Sequence, residues 1–71
     1  MPVNLGQLRT DLETVVQART GRRIRNLDIE LEPERVILHG VALSYHVKQL
    51  AQQGVREILP DVLLENAIEV A

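Results

Sequence analysis

The chain contains no cysteine, no phenylalanine and no tryptophan, and Tyr45 is its only aromatic residue. Without cysteine there is no disulfide, no thiolate metal site and no cysteine nucleophile. Without a second aromatic there is no stacking platform for unpaired bases. No apolar run approaches the roughly 20 residues that cross a bilayer as a helix. The stretch MPVNLGQLRT lacks the charged start and apolar core of a secretory signal. The expectation is a soluble cytoplasmic protein, or a periplasmic one if the chain is cut from a longer precursor. Positive charge is scarce too: 8 Lys and Arg face 10 Asp and Glu, a net charge of −2. That balance argues against nonspecific nucleic-acid binding.

The scarce positive charge is concentrated. Arg19, Arg22, Arg23 and Arg25 lie in a window from Thr14 to Leu27 that holds no acid. The rest of the chain is strongly acidic, so any anion-binding role has to be local.

Seventy-one residues make one small domain, spanning 1–71. A domain of this size buries only about 60% of the surface its unfolded chain exposes. Leu5, Leu8, Leu12, Val15 and Val16 recur at helical spacing and predict a first helix from about Leu5 to Arg19. Asn4 suits its N-cap, Gln7 sits where a capping box needs it, and Val3 with Leu8 would form a hydrophobic staple. Gly21 is placed to close the helix in the left-handed conformation.

Leu27, Ile29 and Leu31 then alternate with Asp28, Glu30 and Glu32, the period of a strand with one buried face. Pro33 favours the first central position of a turn at Glu32-Pro33-Glu34-Arg35. Val36, Leu38 and Gly40 continue one face of a second strand, with Ile37, His39 and Val41 on the other. So short a link predicts an antiparallel hairpin.

A second helix follows, with Ser44 as N-cap and Val47, Leu50, Ala51, Gly54, Val55 and Ile58 as its buried stripe. Gly54 costs about 1 kcal/mol of helix propensity. Close approach of this helix to the sheet is the expected compensation. Pro60 ends the helix. The segment DVLLENAIEVA reads as one last strand, with Leu64, Ile68 and Val70 on one face. A helical crossover makes it parallel to its partner. The order is α-β-β-α-β: an α+β fold with a three-stranded mixed sheet and both helices packed on one face.

The stretch from Leu27 to Val70 resembles the BON domain, the bacterial module of osmotically inducible and nodulation-type proteins. Val36-Ile37-Leu38-His39-Gly40 matches its apolar-x-apolar-x-Gly strand. Leu64, Asn66, Ile68 and Val70 match its final strand, and Val47, Leu50, Ala51 and Val55 its helix core. The helix before Leu27 also fits. The hairpin turn differs, as does Pro60-Asp61-Val62 where the family carries Gly-Val. The resemblance implies binding rather than catalysis, with phospholipid or a membrane surface as the ligand.

Two candidate sites follow. The chain order brings Arg22, Arg23 and Arg25 to the end of the molecule where the second helix starts, at Ser44, Tyr45 and His46, with Lys48 one turn on. Free N–H groups flanked by arginines make an anion or headgroup site. The plainer reading is that Arg19, Arg22 and Arg23, at the carboxyl end of the first helix, complement its dipole. The second site is the sheet face opposite the helices, carrying Ile37, His39, Val41, Leu63 and Ala67 among Asp28, Glu30, Glu65 and Glu69. A contiguous apolar patch there would serve a protein partner or a homo-oligomer.

Other chemistries lack their residues. His39 and His46 do not form a metal pair on one helix face, so no metal or other cofactor is expected. There is no nucleophile elbow, phosphate loop or metal box, and the expectation is no enzyme. Thr20-Gly21-Arg22-Arg23-Ile24 faintly resembles the Gly-x-x-Gly loop of KH domains, but Ile24 stands in place of the second glycine.

Overall fold

The computed structural model describes residues 4–71. The staple between Val3 and Leu8 lies outside the described residues. Two helices and a mixed sheet follow one another as α1 (Leu5–Thr20), β1 (Ile24–Leu31), β2 (Arg35–Ala42), α2 (Tyr45–Ile58), β3 (Leu63–Asn66) and β4 (Glu69–Val70). The fold is α+β in the expected order. β2 is central, antiparallel to β1 on one side and parallel to β3 and β4 on the other.

The helix ends are set by side chains. Asn4 Oδ1 accepts from the Gln7 N–H at 3.1 Å and caps α1. The reciprocal bond from the Asn4 N–H to the Gln7 side chain is absent among the described residues, and Gln7 Nε2 donates to Asp11 Oδ1 at 2.9 Å. Gly21 adopts φ 61°, ψ 33°, and the Arg22 N–H donates to the Gln17 carbonyl at 2.9 Å, closing the helix in a Schellman arrangement. Ser44 Oγ accepts from the Val47 N–H at 3.2 Å and caps α2.

The hairpin turns where Pro33 placed it, with the Arg35 N–H bonded to the Glu32 carbonyl. β1 starts at Ile24, three residues before the alternation at Leu27 announces it. The cause is a bulge. Arg25 pairs with Val41 and Asp28 with His39, so Asn26 and Leu27 together oppose Gly40. Asn26 turns left-handed at φ 54° to make the extra residue fit. The bulge shifts the phase by one residue, and Ile24 therefore faces the core with Leu27, Ile29 and Leu31.

Both helices cover one face of the sheet. Leu12 and Val16 from α1, Val47, Ala51 and Val55 from α2, and Ile24, Ile29, Val36, Leu38, Ala42 and Ile68 from the sheet form the core. Three expectations about this packing change. Gly54 is buried against α1 rather than the sheet: a Cβ there would meet Val15 Cγ1 at 3.3 Å and Val16 Cα at 3.5 Å. Leu50 is only half-buried and lies outside the core cluster. Leu5, at the start of α1, is exposed.

The last strand is also broken in two. Asn66 lies opposite Leu38 on the helix-covered face, and its Nδ2 donates to the Lys48 carbonyl of α2 at 3.0 Å. Its Oδ1 accepts from the Ile68 N–H at 3.3 Å. That N–H is thereby turned out of the ladder, which resumes at Glu69 opposite Val41. Val70, expected inside with Leu64 and Ile68, is exposed at the end of the sheet.

Candidate functional site

The sheet topology brings the ends of α1 and β2 together. Ile24 pairs with Ala42, so Arg22 and Arg23 precede the same edge of the sheet that Leu43, Ser44 and Tyr45 follow. β4 ends there as well, since Val70 pairs with Ala42. The side chains then diverge. Arg23 Nε donates to the Thr20 carbonyl at 2.8 Å, neutralising the carboxyl end of α1 as the dipole reading expects. Arg22, left-handed at φ 58°, lines a shallow depression with Glu13, Thr14, Gln17 and Ala18 along α1. Arg25 alternates with buried Ile24 and shares the open face of the sheet with Val41. Lys48 is half-buried on α2 beside Asn66. Ser44 is occupied as the cap of α2, and Tyr45 and His46 are exposed.

These bases do not close around one anion pocket; they surround an end of the molecule from the α1 side, the open face and the α2 side. Their common property is electrostatic. Arg9 pairs with Asp28 at 2.6 Å and with Glu13 at 3.3 Å. Arg19 makes a two-pronged bond to Glu57 through Nε and Nη2. Arg35 pairs with Glu32 at 2.7 Å, and Arg56 Nη1 donates to the Val62 carbonyl at 2.6 Å. Arg22, Arg23, Arg25 and Lys48 enter no ion pair among the described residues. Glu69, two strands from Arg25 on the open face, is likewise unpaired.

This end also holds apolar residues that the sequence reading passed over. Leu43 is 71% exposed, Tyr45 64% and Val70 46%. Leu43 continues the alternation of Ile37, His39 and Val41 one step past the end of β2 at Ala42. A leucine in a two-residue connection, where polar residues are the norm, is the signal that points to it.

The open face is more polar than the sequence pattern implies. Ile37, at its centre, is only 7% exposed. It lies between Glu30 on β1 and Glu65 on β3, and Arg35 reaches Glu65 at 3.6 Å while His39 Nε2 lies 2.8 Å from Glu30 Oε1. The Arg35 guanidinium is held above its ordinary pKa, first by the hydrogen bond it donates to Glu32 and then by the Glu32 charge. His39 and Val41 are half-buried, whereas Leu63 and Ala67 are exposed. The apolar residues of this face are thus separated by charged neighbours.

Among the described residues no group of three His, Asp or Glu side chains converges as a metal site requires. No described helix is long and apolar enough to cross a membrane. Comparison of the chain with protein-family models, curated proteins and solved structures finds no match.

Proposed function

We propose that the protein is a noncatalytic, BON-like binding module that docks on anionic phospholipid surfaces through the end bearing Arg22, Arg23, Arg25 and Lys48. The observation that carries this reading is the segregation of unpaired charge. Arg9, Arg19 and Arg35 are matched by carboxylates, whereas among the described residues Arg22, Arg23, Arg25 and Lys48 have none, and the one other base without a carboxylate, Arg56, is held by the Pro60 and Val62 carbonyls. An unpaired base keeps its full interaction free energy for an external anion, and several on one end sum over the headgroups of a surface. The bases are spread around an end rather than gathered in a pocket, which suits an extended anionic plane better than a single small anion. The α-β-β-α-β order is consistent with the BON resemblance. The alternative reading, self-assembly through the open sheet face, has only Leu63 and Ala67 as exposed apolar positions and lacks a contiguous patch.

Flotation with vesicles tests the reading. Among the described residues Arg25 and Lys48 hold no side-chain bond, so Arg25→Gln with Lys48→Gln leaves the structure intact. Each base near an anionic surface contributes about 1 kcal/mol, so the double variant weakens partitioning by roughly 30-fold. Glu69→Gln removes an opposing charge and tightens partitioning severalfold. Equal flotation of all three proteins, or none by the parent, overturns the reading.

A further inference from the structure

We infer that Leu43, Tyr45 and Val70 form an interfacial wedge that enters the headgroup and upper acyl region of an anionic bilayer, with the domain standing end-on. The inference rests on the membrane reading above and adds the mode of engagement.

Placement carries it. Among the large apolar side chains that stay exposed in the described residues, Leu43, Tyr45 and Val70 lie at one end of the molecule, while Leu5 and Leu63 lie elsewhere. Leu43 follows Ala42 directly, Val70 is the cross-strand partner of Ala42, and Tyr45 opens α2 after the Ser44 cap. The tip is held from three sides: by the end of β2, by the N-cap bond of Ser44, and by the bond from the Ala71 N–H to the Ala42 carbonyl at 2.8 Å. A tip so fixed loses little conformational entropy on insertion. The exposure of three apolar side chains is a cost in water with no return inside the fold, since none belongs to the core cluster.

The surroundings decide what covers the tip. Arg23, Arg25 and Lys48 stand around it without carboxylate partners among the described residues. An aromatic with a polar hydroxyl sits favourably at headgroup level, aliphatic residues go deeper, and bases reach the phosphates around them. An anionic bilayer meets all three demands at once.

Tyr45 is the only aromatic residue, so its emission reports on this tip alone. The test uses vesicles of equal parts phosphatidylcholine and phosphatidylglycerol, with and without bromine on the upper acyl chain. The expected result is flotation together with quenching of Tyr45 by the brominated lipid. Leu43→Ser with Val70→Thr keeps Tyr45 and alters only exposed positions, and it weakens partitioning at least tenfold. Flotation without quenching, or with undiminished affinity of the double variant, overturns the wedge and leaves surface binding in place. Absence of flotation removes the membrane reading and the wedge with it. Concentration-dependent protection of Tyr45 from acrylamide without lipid assigns the tip to a protein interface instead, and overturns the proposal.

Discussion

Gly40 shows how much one residue position can require of its occupant. Its φ of 152° is one that residues with a side chain rarely adopt. A Cβ there would stand 2.7 Å from Ile24 Cγ2 and 3.0 Å from the Arg25 carbonyl oxygen, where the bulge crosses β2. Neither neighbour can retreat cheaply, since Ile24 is buried and the other atom is backbone. Gly40→Ala therefore combines overpacking with backbone strain and costs about 3 kcal/mol. Gly54 provides the contrast. Its added Cβ meets Val15 Cγ1 at 3.3 Å and Arg19 Cγ at 3.4 Å, both on half-buried or exposed side chains that can move. The helix gains about 1 kcal/mol of propensity, which offsets the displacement, and Gly54→Ala stays within about 1 kcal/mol of the parent. Thermal melts separate the two. The first variant melts lower by more than about 10 °C, at the several degrees per kcal/mol typical of small domains, and the second by only a few. Equal melting of the two would show that the bulge relaxes around a side chain.

At the level of elements, Asn66 joins the sheet to α2. Its amide donates to the Lys48 carbonyl and its carbonyl accepts from Ile68, so one side chain both anchors the helix and breaks the strand. Asn66→Asp removes the donor and points a carboxylate at a carbonyl oxygen. The destabilisation belongs to the charged form, which places the folded-state pKa above the unfolded value near 4. The deficit relative to the parent is therefore full at neutral pH, about 2 kcal/mol, and shrinks as pH falls through the carboxyl range and the acid regains a proton to donate. Paired urea titrations at neutral and acidic pH measure it, and a deficit that ignores pH would mean the Lys48 bond is unimportant. The strand break was not legible in the sequence, because Leu64, Asn66, Ile68 and Val70 keep a strict alternation across it. Period reports which face a residue takes, but not whether its N–H stays in the ladder. The bulge at Asn26 was hidden for a related reason. Ile24 is out of phase with Leu27 until the extra residue is counted. Caps, hairpin and helix order were legible because Asn4, Gly21, Pro33 and Ser44 act locally, within a few residues of themselves.

For the whole molecule, the distribution of charge matters more than its sum. The bases around the tip lie at one end, while Glu34 in the hairpin turn and Asp61 after α2 lie at the other, and none of them is paired among the described residues. The sequence exposed half of this site: the run of arginines is visible in the chain, and topology brings it beside α2. The apolar half was invisible, because Val70 reads as a core position by period and Leu43 reads as one more step of the Ile37, His39, Val41 alternation although the strand ends before it. The two halves respond differently to salt. The Debye length is about 10 Å at 0.1 M ionic strength and about 3 Å at 1 M, so added salt removes most of the attraction between exposed bases and headgroups. Apolar transfer is not screened. The parent protein should therefore lose vesicle affinity with salt down to a plateau, and that plateau is the contribution of the wedge. The Arg25→Gln, Lys48→Gln variant should start lower and converge on the same plateau, whereas Leu43→Ser with Val70→Thr should start lower and fall to none. Binding isotherms across a salt series distinguish these curves. If the parent itself falls to none, adsorption is electrostatic throughout and the tip stays in water.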